Sequence, residues 1–327
     1  VTGILDEAGE LLVAGHHVVP PGAVALVVGV VLPRALSRSH WAHRKPRLAL
    51  AVWSMLALAL TASLSMAALQ LLLPTAISHH LSRSAETCLL SGVTDCAPLL
   101  LSDPADVAVR VWAALFAAAV VPVVFTAALA HELLNARRRR ARHGELLRLV
   151  GSRRPELRAT VLQHETPAVY CLPGRAPQVV VSSGALQVLT EQQLAAVLEH
   201  ERAHISGRHH LLVAAAGACG TAFRGLPLAA LARTEVPLLL EMAADDRALR
   251  RCSPDALATA LYAVASGQTP YRAFAAGGPS AVLRMRRILT PHAPASPALR
   301  TVCVALTAAA TVTPLVLACC SVPGITD

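Results

Sequence analysis

The sequence predicts a mostly α, polytopic membrane protein with four transmembrane helices and a cytosolic α+β domain between the third and the fourth. Three observations predict it. Hydrophobic residues fill 54% of 327 positions against 15% charged, with a mean hydropathy of +0.53, well above what a soluble domain of this length carries. Four apolar runs approach or reach the ~20 residues a helix needs to cross a bilayer. The Lys and Arg residues gather in alternate flanks of those runs, as the retention of positive charge on the cytoplasmic side requires.

Taken in order, residues 1–17 read as an extracytoplasmic segment. It contains Asp6, Glu7 and Glu10 rather than a basic stretch before an apolar core, so no cleavable secretory signal is expected. The first span, 18–36, is interrupted by Pro20 and Pro21, and His16 and His17 argue against an earlier start. Arg34 near its end and Arg38, Arg44, Lys45 and Arg47 in the 37–47 loop place that loop in the cytoplasm. The second span, 48–73, has no charged residue. The 74–105 loop carries Arg83 against Glu86, Asp95 and Asp103, so it faces outward. There the compartment permits a disulfide between Cys88 and Cys96, and the sequence leaves that pairing open. The third span, 106–130, holds one charge near its end, Arg110, and is followed by Arg137, Arg138, Arg139, Arg140 and Arg142. The cytosolic domain then covers 131–298. A fourth span, 299–322, contains Pro314 and ends near Cys319 and Cys320, leaving 323–327 as a short outer tail.

Lys and Arg number 29 against 20 Asp and Glu, an excess the topology explains. No aromatic residues interleave with the arginine run, so no direct nucleic-acid partner is expected. None of the eight cysteines forms a Cys-x-x-Cys pair, which excludes zinc-finger frameworks and leaves Cys171, Cys219 and Cys252 as reduced structural residues of the domain. Ala, Leu, Val and Arg dominate, as in GC-rich bacterial genomes, so the expected location is a bacterial cell membrane, with the lipid bilayer as first partner.

Within the domain, Leu189 to Ile205 has the marks of a helix with a sharp start. Thr190 and Gln193 form a capping-box pattern, and Leu194, Val197, Leu198 and Ile205 recur on one face. Before it, Gln178 to Ser183 reads as a short strand whose edge could receive an extended peptide. After it, the stretch from Leu211 to Leu231 is broken by Gly217, Gly220, Arg224 and Pro227. It reads as a buried or membrane-grazing helix, because one crossing there would separate the residues discussed next.

His200 and His204 lie four residues apart, so on a helix they differ by about 40° and can share one metal ion. Glu201 projects to the side of that pair, where a carboxylate can reach a metal-activated water without ligating the ion. The alternative is two surface histidines capping a helix end beside Glu199 and Glu201; a third ligand separates the readings. Glu241, 37 residues beyond His204, follows the apolar run Val236 to Leu240 and precedes the small residues Ala243 and Ala244. Asp245, one turn on, could accept a hydrogen bond from the free ring N–H of a ligating histidine. The competing reading sets both acids in an ion-pair network with Arg247, Arg250 and Arg251. Candidates for stabilising an oxyanion are His209, His210 and Tyr262.

The segments LAAVLEHERAHISGRHH at Leu194 to His210, LEMAADDRAL at Leu240 to Leu249 and RMRRIL at Arg284 to Leu289, with the layout of spans, resemble the BlaR-type antirepressor membrane metallopeptidases. The HtpX and CAAX prenyl protease families are more distantly similar. The resemblance implies a zincin-like domain over 131–298 and one Zn²⁺ ion. It implies His200, His204 and Glu241 as ligands, Glu201 as the catalytic glutamate and Asp245 as a supporting acid. It also implies a cytoplasm-facing endopeptidase acting on a protein or peptide, with a winged-helix transcriptional repressor as substrate. Quality control or maturation of membrane proteins is the alternative, and a non-catalytic zinc-binding sensor a further one. BlaR-type receptors carry an extracellular penicillin-binding domain after the last span, and this sequence ends at Asp327, so antibiotic sensing is not carried over.

Overall fold

The computed structural model describes residues 19–72, 104–174, 176–266 and 270–290, with 305 and 309 in isolation. The expected fourth span, most of the outer loop with Cys88 and Cys96, both terminal segments and the Cys319–Cys320 pair lie outside the described residues.

The chain is mostly helical, with one small sheet. Three helices are long and apolar enough to cross a membrane: α1 (Val19–Ser37), α3 (Pro46–Leu72) and the apolar part of α4 (Pro104–Val150). A short helix, α2 (His40–Arg44), joins the first two. Helix α1 widens to a π turn over Val27–Val31 just before Pro33, whose missing N–H and ring bulk would otherwise clash with the turn before it. Some large side chains face outward: Trp112 is 71% and Phe116 75% exposed, with Leu58 and Val123 alongside, whereas Trp53, Leu56 and Leu60 of α3 are buried. The small residues Ala49, Ala57 and Ala59 are buried in the same core. Close backbone approach through small residues is how helices associate where lipid removes the hydrophobic drive.

Helix α4 continues well past the span expected over 106–130. It runs unbroken for 47 residues through the arginine run. The reason is local, since no Gly or Pro occurs from 123 to 143 and Ala, Leu, Arg and Glu favour helix.

The sheet follows directly: β1 (Gly151–Arg154), β2 (Ala159–Leu162), β3 (Val169–Leu172) and β4 (Gln178–Ser182), in spatial order β1-β2-β4-β3. β2 and β4 are parallel; the other two pairs are antiparallel. The strand at Gln178–Ser182 therefore lies inside the sheet, and the edge expected of it belongs to β3. Its burial agrees, because Val179, Val180 and Val181 are all covered, as suits a strand paired on both sides.

Helices α5 (Ser183–Val188), α6 (Glu191–Ser206), α7 (His209–Ala222), α8 (Pro227–Ala248), α9 (Pro254–Ser266) and α10 (Pro270–Leu289) follow. The stretch Leu211–Leu231, expected as one buried or membrane-grazing helix, is partly buried and divided between two, forming the inner part of a hairpin, α7 and α8, that turns at Phe223–Leu226 with Gly225 at φ +92°. The hairpin packs among the candidate spans: Leu226 reaches Gly29, Phe223 stacks on Phe125 with ring centroids 5.8 Å apart, and Leu228, Leu239 and Met242 join the core of α1 and α3. Because it goes in and returns, the histidines at its start and Glu241 near its end stay at one level.

Candidate metal centre

Helix α6 begins as its sequence requires. Thr190 Oγ1 accepts from Gln193 N–H and the Gln193 side chain accepts from Thr190 N–H, a complete capping box. Val197 and Leu198 bury against the sheet, which turns His200 and His204 toward α8.

The two Nε2 atoms lie 3.1 Å apart; each is 3.4 Å from a carboxylate oxygen of Glu241, His200 from Oε2 and His204 from Oε1. These three groups are the set able to hold a metal ion among the described residues. Ligands on a tetrahedral zinc at about 2.05 Å sit roughly 3.3 Å from one another. The 3.1 Å between the two Nε2 atoms, and the 3.4 Å from each of them to its nearer Glu241 oxygen, are close to that figure. Two imidazoles and one carboxylate also form the nitrogen-and-oxygen donor set of a catalytic zinc with an open fourth position. The residues present therefore fit the ion.

Asp245 sits beneath, fully buried. Its Oδ1 lies 3.0 Å from His200 Nδ1, close in distance but off-line for a hydrogen bond. Both its oxygens are held by Arg284 of α10: Nε donates to Oδ2 at 2.8 Å and Nη2 to Oδ1 at 2.7 Å. The same guanidinium reaches Glu241 Oε2 through Nη1 at 2.8 Å. Arg247 and Arg250 make no ion pair with either acid among the described residues, and Arg251 pairs with Glu199 at 2.9 Å. The ion-pair network expected with Arg247, Arg250 and Arg251 is therefore not formed among the described residues; Arg284 pairs with both acids instead.

Arg284 is the residue the sequence reading missed. Its motif, RMRRIL, carried the resemblance but received no role. Arg287, one turn on, donates to Asp246 at 2.6 Å and to the His43 carbonyl at 2.7 Å, so this helix face docks on the acidic end of α8. The signal was present as Arg284 and Arg287 at helical spacing opposite Asp245 and Asp246.

The electrostatics follow from burial and charge. Burial works against protonating His200, but Asp245 and Glu241 outweigh it and lift the ring to about 9. His204, for which burial dominates, falls to about 4. Burial raises the Glu201 carboxyl, only partly opposed by His200 and Cys171. Burial would also raise Glu241 and Asp245, yet His200 and Arg284 hold both near 2. Glu241 and Asp245 are thus kept anionic while Glu201 is pushed toward holding a proton, a separation of roles set by surroundings.

Helix α6 packs on β3, and Cys171 and Glu201 are close enough to act on each other: burial, with the Glu201 carboxylate beside it, pushes the Cys171 thiol up to about 12. Cys171, expected to be merely structural, is thus an electrostatic neighbour of this carboxylate. Of the oxyanion candidates, His209 lies with Nδ1 2.9 Å from His204 Nδ1. His210 lines the same cavity of about 360 Å³ as Cys171, His204 and Glu241. Tyr262, on α9, is 66% exposed and does not line that cavity. Arg208, at φ +50°, turns the chain out of α6 so that His209 comes back over His204.

Residues 133–237 match the model of peptidase family M48, a span that contains His200, Glu201 and His204 and stops short of Glu241. Over those residues the chain is similar to a family of metallopeptidases. No curated protein and no solved structure matches the chain.

Proposed function

We propose, from that similarity and the geometry beneath it, that the chain is a membrane-bound zinc-dependent endopeptidase. Its ligands are His200, His204 and Glu241, and its general base is Glu201. The observation that carries the reading is the convergence of His200, His204 and Glu241, whose ligand atoms, one from each residue, lie within 4.8 Å of one another, backed by a buried Asp245. Zinc bound there supplies a Lewis acid for a scissile carbonyl and brings the pKa of water to about 7.

The remaining chemistry belongs to side chains. Glu201, its carboxyl raised by burial, takes a proton from the attacking water and passes it to the leaving amine. Asp245 and Arg284 hold His200 and Glu241 against rotation. An extended peptide paired along the edge strand Val169–Leu172 would lie near Glu201, because α6 packs on that strand. The arginine-rich flanks of α1 and α4 favour a four-span topology with the centre on the cytoplasmic side.

The BlaR-type resemblance makes the first substrate class a cytosolic winged-helix repressor. A second reading, cleavage of membrane-protein substrates, is favoured by one observation. A cavity of about 360 Å³ lined by Arg47, Leu50 and Ser54 of α3 reaches His209 beside the centre. A segment leaving the bilayer would find the site there.

One experiment separates these outcomes. Wild type and Glu201→Gln, purified as full chains in nanodiscs, are assayed for bound zinc and for cleavage of a repressor and of a membrane-anchored peptide. Wild type should cut and the variant should retain zinc without cutting. Equal cleavage by both removes Glu201 as the base, and a zinc-free wild type removes the metal reading. Cleavage of the anchored peptide alone selects the second substrate class.

A further inference from the structure

Away from the metal centre, four arginines converge on one recess. Arg34 of α1 and Arg38 at its C-cap, with Arg224 and Arg233 of the hairpin, line a cavity of about 690 Å³ walled by Leu226 and Pro227. All four are exposed. Among the described residues none of them has a carboxylate within ion-pair distance. The one side-chain bond in the group is Arg34 Nη1 to the Val30 carbonyl at 3.1 Å, within α1 itself. Arg233 reaches the recess by lying across α7 at Gly220, where a Cβ would stand 2.5 Å from Arg233 Cδ. Like charges brought together without a counter-charge repel, and the arrangement gains stability when an anion occupies it.

The second observation fixes the level of the recess. Val27, Val31, Arg34 and Arg38, spaced four, three and four residues apart, share one stripe of α1 and its C-cap, and all are exposed. Along it the surface changes from aliphatic to cationic between Val31 and Arg34. On a helix long and apolar enough to cross a bilayer, that change marks where hydrocarbon gives way to headgroups.

We propose that this recess binds the phosphate headgroup of an anionic phospholipid, with its acyl chains along Val27 and Val31. Guanidinium forks match phosphate oxygens two at a time, and basic pockets between membrane helices suit anionic headgroups. The hairpin that brings Glu241 to the centre also supplies Arg224 and Arg233, so the lipid pins hairpin to span. The proposal rests on α1 lying in the membrane and is independent of the metal centre.

Delipidated full chain in detergent is titrated with phosphatidylglycerol, phosphatidylcholine, inorganic phosphate and a hexaglutamate peptide, with binding read by native mass spectrometry. Wild type should prefer phosphatidylglycerol over phosphatidylcholine. Arg34→Gln/Arg224→Gln/Arg233→Gln should lose about a hundredfold in phosphatidylglycerol affinity. The corresponding triple Lys variant should keep most of it, and Arg153→Gln/Arg154→Gln on β1 should keep all of it. If the Gln variant loses its helical circular dichroism, the Lys variant and the lipid preference decide. Equal affinity for the two lipids, or a Gln variant that folds and binds like wild type, overturns the proposal. So does full displacement of the lipid by free phosphate or by the peptide at matched concentration. Bound zinc, measured in the same samples, should be unchanged.

Discussion

Replacing Asp245 with Asn tests the support of the centre more sharply than removing a ligand. The change keeps the volume and one acceptor, but turns an NH₂ group toward a guanidinium that now donates to both carboxylate oxygens, at 2.8 and 2.7 Å. Arg284 would keep a single acidic partner, Glu241, and His200 would lose the carboxylate 3.0 Å from its Nδ1. Breaking a buried ion pair by removing one partner costs about 3–5 kcal/mol, a large part of the roughly 5–15 kcal/mol that holds a domain folded. Loss of an outer partner lowers metal affinity by about 10–100-fold. Asp245→Asn should therefore unfold earlier in denaturant, and lose zinc to a graded chelator at concentrations the wild type resists. Adding Arg284→Gln should not restore the stability, because Glu241 then loses the guanidinium 2.8 Å from its Oε2. A single variant within about 0.5 kcal/mol of wild type that holds zinc equally would refute the reasoning.

Glu201→Gln should retain zinc and lower peptide cleavage by about 10²–10⁴-fold, read from single-turnover cleavage beside metal analysis. His209→Ala should weaken zinc binding by about tenfold through release of His204, whereas His210→Ala should leave it unchanged; chelator competition compares them. Gly220→Leu should destabilise the chain by about 1–3 kcal/mol, because Arg233 occupies the space a side chain needs, and denaturant titration measures it.

Local patterns carried most of the site in the sequence. Thr190 and Gln193 announce a helix start because both partners lie within one turn, and His200, Glu201 and His204 sit on that helix at fixed angles. Glu241 and Asp245 were legible for the same reason, as a one-turn pair in an apolar, small-residue setting. What depends on distant pairing was not legible. Arg284 is separated from Asp245 by 39 residues, and no periodicity in either segment says that α10 returns to α8. The sheet edge was misassigned because strand order is non-local: Gln178–Ser182 inserts between β2 and β3. At the hairpin, Gly220 and Pro227 marked the break, but the destination of the second arm is decided by its fit against Gly29 and Leu60.

Helix α4 has a mechanical consequence. At 1.5 Å per residue its 47 residues form a rod about 70 Å long, and from 123 to 143 it has neither glycine nor proline to act as a joint. Near its far end Arg140 Nη1 donates to the Pro173 carbonyl at 3.3 Å and His143 Nε2 bonds the Tyr170 hydroxyl at 2.7 Å. Both fastenings flank Cys171, the strand residue whose thiol the Glu201 carboxylate helps to raise. Beyond Pro122, rotation of the 123–143 segment has little compliance through which to dissipate, so the strand on which α6 packs should turn with it.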